Sequence, residues 1–194
     1  MVKKIVLLAV LALALPLAAF ANSSVDLTNT GGTLTGGAGG FTLTGSVIKV
    51  YSGVTGSNLG SVSFTTGAFT SGNVQTGGTL AAGGIFTITG NGTNGVPNGV
   101  IFSGTFSPGG LWSVMTLANG THQYTLAAAI VDGSGHVGAT SQLTLNTGKG
   151  FFNGSVGLAS GDTSLSVPEP GTLSLFGTGL IGLAGVIRRK LNLV

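Results

Sequence analysis

Asp132, Ser134 and His136 are the residue types from which a hydrolase builds a nucleophile, a base and an orienting carboxylate. They sit two residues apart within one run, Asp132-Gly133-Ser134-Gly135-His136. Aspartate and serine in glycine-rich turns more commonly bond neighbouring backbone groups, which is the reading adopted for this run. Paired-carboxylate glycoside chemistry needs two acids flanking one bond. The chain offers Asp26, Asp132 and Asp162 between its ends, and only Asp132 is central. His122 and His136 do not reach the three or four ligands of a zinc site, and the chain has no cysteine. Three glycine patterns of the dinucleotide type occur: Gly90/Gly92/Gly95, Gly133/Gly135/Gly138 and Gly177/Gly179/Gly182. With 37 glycines such matches arise by chance, and none runs into a helix that could receive a pyrophosphate. No cofactor and no metal is therefore expected, and the protein is expected not to be an enzyme.

Trp112, Tyr124 and Tyr51 form the remaining candidate set, an aromatic platform on which sugar rings could stack. Burial in a β core is the alternative for such residues. Three Asn-Gly-Thr/Ser sequons, at Asn91, Asn119 and Asn153, read as hairpin turns rather than glycan acceptors.

The elements that must position these groups are short runs separated by glycine, asparagine and serine, which reads as strands. Leu111–Ala118, Asn119-Gly120 and Thr121–Val131 predict a hairpin with a two-residue turn. In the second run His122, Tyr124, Leu126, Ala128 and Ile130 share one face, the period-2 pattern of a half-buried strand. A third strand follows, with Val137, Ala139, Leu143 and Leu145 on its apolar side. Earlier strands are expected at Phe41–Tyr51, Leu59–Thr66, Ile85–Thr89 and Val100–Ser107, with a bulge at Gly45. The fold class is all-β, expected as a single antiparallel β-sandwich or jelly-roll-like domain over residues 22–166, with 158–166 as a linker.

The calculated pI of about 9.6 suggests a nucleic-acid binder only until the charges are located. Lys3 and Lys4 lie at one end and Arg188, Arg189 and Lys190 at the other. Residues 22–166 hold Lys49 and Lys149 against Asp26, Asp132 and Asp162, a net charge of −1. Nucleic-acid affinity needs clustered cations, so no nucleic-acid partner is expected.

Both ends read as targeting segments. Lys3-Lys4, the apolar run Ile5–Leu15 and Ala19-Phe20-Ala21 describe a secretory signal peptide over residues 1–21, removed by signal peptidase after Ala21. At the other end Pro168-Glu169-Pro170 leads into a glycine-rich apolar run, Gly171–Ile187, and then Arg188-Arg189-Lys190. As a helix that run would be about 25 Å long, enough for one thin-bilayer transmembrane crossing. The basic triplet would stop transfer and stay cytoplasmic.

This arrangement over residues 167–194 resembles the PEP-CTERM sorting signal of exported Gram-negative proteins. The resemblance implies an exosortase partner, a membrane-embedded cysteine protease that processes such proteins near the Pro-Glu-Pro motif. It also implies transient anchoring in the inner membrane, then release to the cell surface or outside, often alongside exopolysaccharide and biofilm machinery. The resulting expectation is a non-catalytic surface or matrix structural protein. The alternatives are a carbohydrate-binding module using exposed aromatics and a polysaccharide-active hydrolase built on Asp132.

Overall fold

Residues 24–166 are described by a computed structural model, and they contain thirteen β-strands and no helix. The strands are β1 (Ser24–Thr30), β2 (Thr33–Gly37), β3 (Gly40–Tyr51), β4 (Val54–Thr55) and β5 (Gly60–Thr65). They continue with β6 (Phe69–Asn73), β7 (Gly77–Leu80), β8 (Gly83–Asn91), β9 (Asn98–Phe106) and β10 (Gly110–Thr116). The last three are β11 (His122–Val131), β12 (Val137–Asn146) and β13 (Ser155–Ser166). The expected signal peptide, with Ala19 and Ala21, and the expected transmembrane helix 171–187 lie outside the described residues.

The all-β expectation holds, but the architecture is a closed eight-stranded antiparallel barrel rather than a sandwich or jelly roll. Several strands are pieces of one long stave. β1 and β2 both pair antiparallel with β13 and with β3, so they form a single stave broken at Gly31-Gly32. In the same way β5 continues into β6, β7 into β8, and β9 into β10. Each stave neighbours the next in sequence, an up-and-down meander. β13 closes it by pairing with β12 on one edge and with β1 and β2 on the other.

The stretch 158–166, expected as a linker, is therefore most of a strand hydrogen-bonded on both sides. Its period-2 pattern is hidden by a register shift between Thr144 and Leu145 of the facing strand, which changes the phase. Leu158 faces the core before the shift, and Gly161, Thr163 and Leu165 after it. Gly45 does mark a bulge, with the register shifting between Leu43 and Ser46.

Alternation decides what lies inside. Leu27, Leu43, Ile48, Phe86, Leu126 and Leu143 are almost wholly enclosed. The outward positions beside them are Ser61, Ser63, Thr65, Ser103 and Thr140, all exposed. A barrel that crosses a membrane carries its apolar band outward and a polar lumen, and this one has the opposite arrangement. The expected hairpin also forms, but by a different turn. The Gly120 amide bonds the Leu117 carbonyl and the Leu117 amide bonds the Thr121 carbonyl, with Gly120 at φ +77°. That is a three-residue loop with a glycine bulge, not a two-residue turn.

Glycine permits a close backbone approach between the first two staves. Gly32 has φ +78°, and a Cβ there would stand 2.5 Å from the Ser46 nitrogen and the Thr44 oxygen. Gly53 has a similar φ of +82° with open space around it. Gly32→Ala is expected to cost roughly 3 kcal/mol or more, from strain plus backbone overlap. Gly53→Ala is expected to cost about 1 kcal/mol. Urea unfolding of the two variants checks the difference, and equal losses would contradict the close approach.

Candidate functional site

Two of the three candidate aromatics are enclosed. Trp112 and Tyr124 are both 0% exposed, stacked at 5.0 Å with Phe152 and Phe41 packed around the Trp112 ring. Their polar atoms are bonded to the β6–β7 turn, which folds over this end of the barrel. Trp112 Nε1 donates to the Val74 carbonyl at 2.9 Å, and the Tyr124 hydroxyl donates to the Gln75 carbonyl at 2.8 Å. The same hydroxyl accepts from the Phe152 amide at 3.1 Å. Buried aromatics carry such polar handles to a partner, and here the handles pin a turn. Tyr51 is half-buried opposite Leu27 and Val54, and burial pushes its phenol above the usual range. Trp112 and Tyr124 are therefore not exposed as the expected sugar platform requires, and Tyr51 stands apart from them, half-buried on β3.

Asp132, Ser134 and His136 form the β11–β12 connection. Asp132 Oδ1 accepts from the Ser134 amide at 2.8 Å and from the His136 amide at 3.1 Å. The Gly135 amide closes onto the Asp132 carbonyl at 3.0 Å, and Gly135 has φ +80°. The carboxylate organises a turn, as the sequence suggested. His122 is nearly buried on the inner face of β11, stacked on Phe151 at 4.3 Å with Nδ1 3.1 Å from the Thr116 hydroxyl. It lies far in the sheet from the Asp132 turn, at the opposite end of β11. Among the described residues no group of three histidines or acids could hold a metal ion.

Two of the three sequons are local turns. Asn91 and Asn119 each accept, through Oδ1, from the amide and hydroxyl of the threonine two residues on.

What sequence reasoning missed is a trough of about 730 Å³ on the outer face of β1, β13, β12 and β11, edged by Pro108, Gly109 and Gly110. Strand register arranges its side chains in two rows. One runs Thr28–Asp162–Gln142–Ala127 and the other Asp26–Ser164–Thr140–Ala129. Thr28 donates its hydroxyl to Asp162 Oδ1 at 2.8 Å. No lysine or arginine lines the trough, although it holds two of the three carboxylates in the described residues. Its members are scattered over four strands, two of which were not legible as strands. No single motif could have announced it.

The fold and these sites define a sparsely charged β-barrel with a mainly apolar interior, whose charged groups lie on its outer face and turns. The particular tag it bears is a PEP-CTERM protein-sorting motif, matched over residues 166–190. That range contains Pro168, Glu169 and Pro170 and the triplet Arg188, Arg189 and Lys190, all but its first residue outside the described structure. The motif implies an exported, surface-sorted protein with an exosortase as its processing partner. No curated protein and no solved structure matches the chain.

Backbone hydrogen bonds to its ionised form hold the Asp132 carboxyl below the usual carboxylate range, with the His136 and Ser134 amides the main causes. A depressed folded-state value means the stabilisation is present above the unfolded pKa and is lost as pH falls through the folded one. Asp132→Asn keeps an oxygen acceptor and cannot titrate. Thermal unfolding followed on acidification should show a flatter pH dependence for the variant below the ordinary aspartate range. Parallel curves would show that the turn does not favour the charged form.

Proposed function

We propose that the protein is an exported, exosortase-sorted structural component of the cell surface or extracellular matrix, without catalytic activity. The observation that carries this reading is the sorting motif at residues 166–190, which begins at the last rung of a closed barrel. Ser166 pairs with Ser24, so the first and last described residues are neighbours in the sheet. The secretion machinery and signal peptidase would act on residues 1–21, and the 171–187 helix would hold the chain in the inner membrane until the exosortase acts. Exopolysaccharide is the partner that this destination suggests.

Two features of the barrel support a non-catalytic role. In the best acid–base–nucleophile set, around Asp132, the carboxylate accepts from the Ser134 and His136 backbone amides, and no bond joins it to the serine hydroxyl or the imidazole. The outer face presents hydroxyls and amides with little charge, which suits a protein embedded in a hydrated polymer. The hydrolase alternative built on Asp132 has no geometric support in this turn. The carbohydrate-binding alternative loses its aromatic platform and survives only through the polar trough.

Fractionation of the host with and without its exosortase tests the reading. The expected result is an enzyme-dependent surface form that has lost Arg188-Arg189-Lys190. Because Ser166 is a rung of the barrel, its mature C-terminus should lie at Val167 or beyond, read by intact mass. An inner-membrane form keeping the basic triplet in the presence of the enzyme would contradict it.

A further inference from the structure

We propose that the outer trough across β1, β13, β12 and β11 is a binding site for a neutral glycan chain lying across the strands. The inference takes its biological setting from the surface-protein reading above, but its chemistry stands on the trough itself.

The two rows differ in character along their length. At the β1–β13–β12 end stand Thr28, Asp162 and Gln142 in one row and Asp26, Ser164 and Thr140 in the other. Hydroxyls and a carboxamide both donate and accept, while carboxylates accept only. Sugar hydroxyls also do both, so the mixed set complements a polyol better than it complements an ion. At the β11 end the rows finish in the methyl groups of Ala127 and Ala129, beside Pro108. That low apolar shelf suits the C–H face of a sugar ring, for which the enclosed Trp112 and Tyr124 are unavailable.

Spacing supports a chain rather than a single small molecule. Adjacent strands stand about 4.8 Å apart, so four strands give a trough roughly 14 Å across. Side chains of one row recur at every strand, and the second row lies about 7 Å away along the strands. A linear polymer crossing the strands would meet a hydrogen-bonding group at each step.

Charge narrows the ligand class. Asp26 and Asp162 lie in the trough with no lysine or arginine among its lining residues. A polyanion such as a uronate polymer or a nucleic acid would be repelled. A protein partner would need the large aromatic, methionine or arginine anchors that the trough lacks. Calcium would need six to eight oxygen ligands, and among the described residues no group of three acids or histidines exists to begin one.

The test is titration of the full chain in detergent, followed by isothermal calorimetry and by Trp112 emission. The probes are neutral hexasaccharides of glucose and mannose, α- and β-linked, with the neutral fraction of the host polysaccharide. A deacetylated chitosan oligomer and an oligogalacturonate are the charged arms. The expected result is binding of a neutral probe with unchanged Trp112 emission, since that ring is enclosed. Asp162→Asn or Gln142→Ala should weaken it about tenfold, the scale of one hydrogen bond to a charged or well-placed group. Ala129→Arg should abolish it by filling the shelf, and Thr87→Ala on β8 should leave it unchanged. No binding of any neutral probe overturns the proposal. So does binding of the chitosan oligomer alone, or binding that the trough variants do not alter. None of these outcomes touches exosortase-dependent sorting, so the two readings fail separately.

Discussion

β13 is hydrogen-bonded along both edges, and the rest of the molecule depends on that double pairing. Without it the meander would be an open sheet with β12 and β1 as exposed edges, and each unpaired backbone group would invite another chain. Closure also gives every stave an inside and an outside. With so few charges, the partition rests on alternation. Most leucines, isoleucines and phenylalanines enter the lumen and most serines and threonines face out, although Ile85, Leu111 and Phe151 are exposed and Ser46, Ser141 and Thr163 are buried. β6 keeps an open edge, since it pairs only with β7 along the sheet. It is short, its register shifts between Phe69 and Ser71, and Gly72 sits at φ +73°. Those features make it a poor template for a neighbouring strand.

Glycine content, the most conspicuous property of the sequence, is what makes closure possible here. Staves that must curve are interrupted by residues free to adopt positive φ, as at Gly31-Gly32 and Gly45, which face one another across β1–β2 and β3. A second line of breaks, at 66–68, 81–82 and 107–109, separates β6, β7 and β10 from β5, β8 and β9. Beyond it the β6–β7 turn reaches Trp112 and Tyr124 through the Val74 and Gln75 carbonyls.

How much of this was legible follows from the same bulges. Where alternation runs unbroken it reported the strand correctly: β11 from His122 to Ile130 and the stretch of β12 from Ala139 to Leu145 face as their patterns require. Where a bulge flips the phase, the pattern disappears. Leu27 and Leu34 lie inside on opposite parities either side of Gly31-Gly32, so β1 and β2 left no periodic trace. Leu158 and Leu165 likewise straddle a shift, which is why β13 passed for a linker. Closure was hidden for another reason, since it is a pairing between the two ends of the domain. The trough shares that origin: its rows combine Asp26 and Thr28 with Ser164 and Asp162, residues over 130 positions apart. Trp112 and Tyr124 were read together with Tyr51 as one aromatic set, and only the tertiary packing shows which way they face. The Asp132 turn was legible because all its bonds are local.

Amide hydrogen exchange on the full chain tests barrel closure most directly. Closure predicts that amides from Leu158 to Leu165 exchange as slowly as those of β11 and β12, and that Val25–Asn29 are protected together with them. The slowest of these would then open only with global unfolding. Rapid exchange across 158–165 while β11 and β12 stay protected would mean an open sheet ending at β12, and the account of a barrel closed at its sorting tag would be wrong.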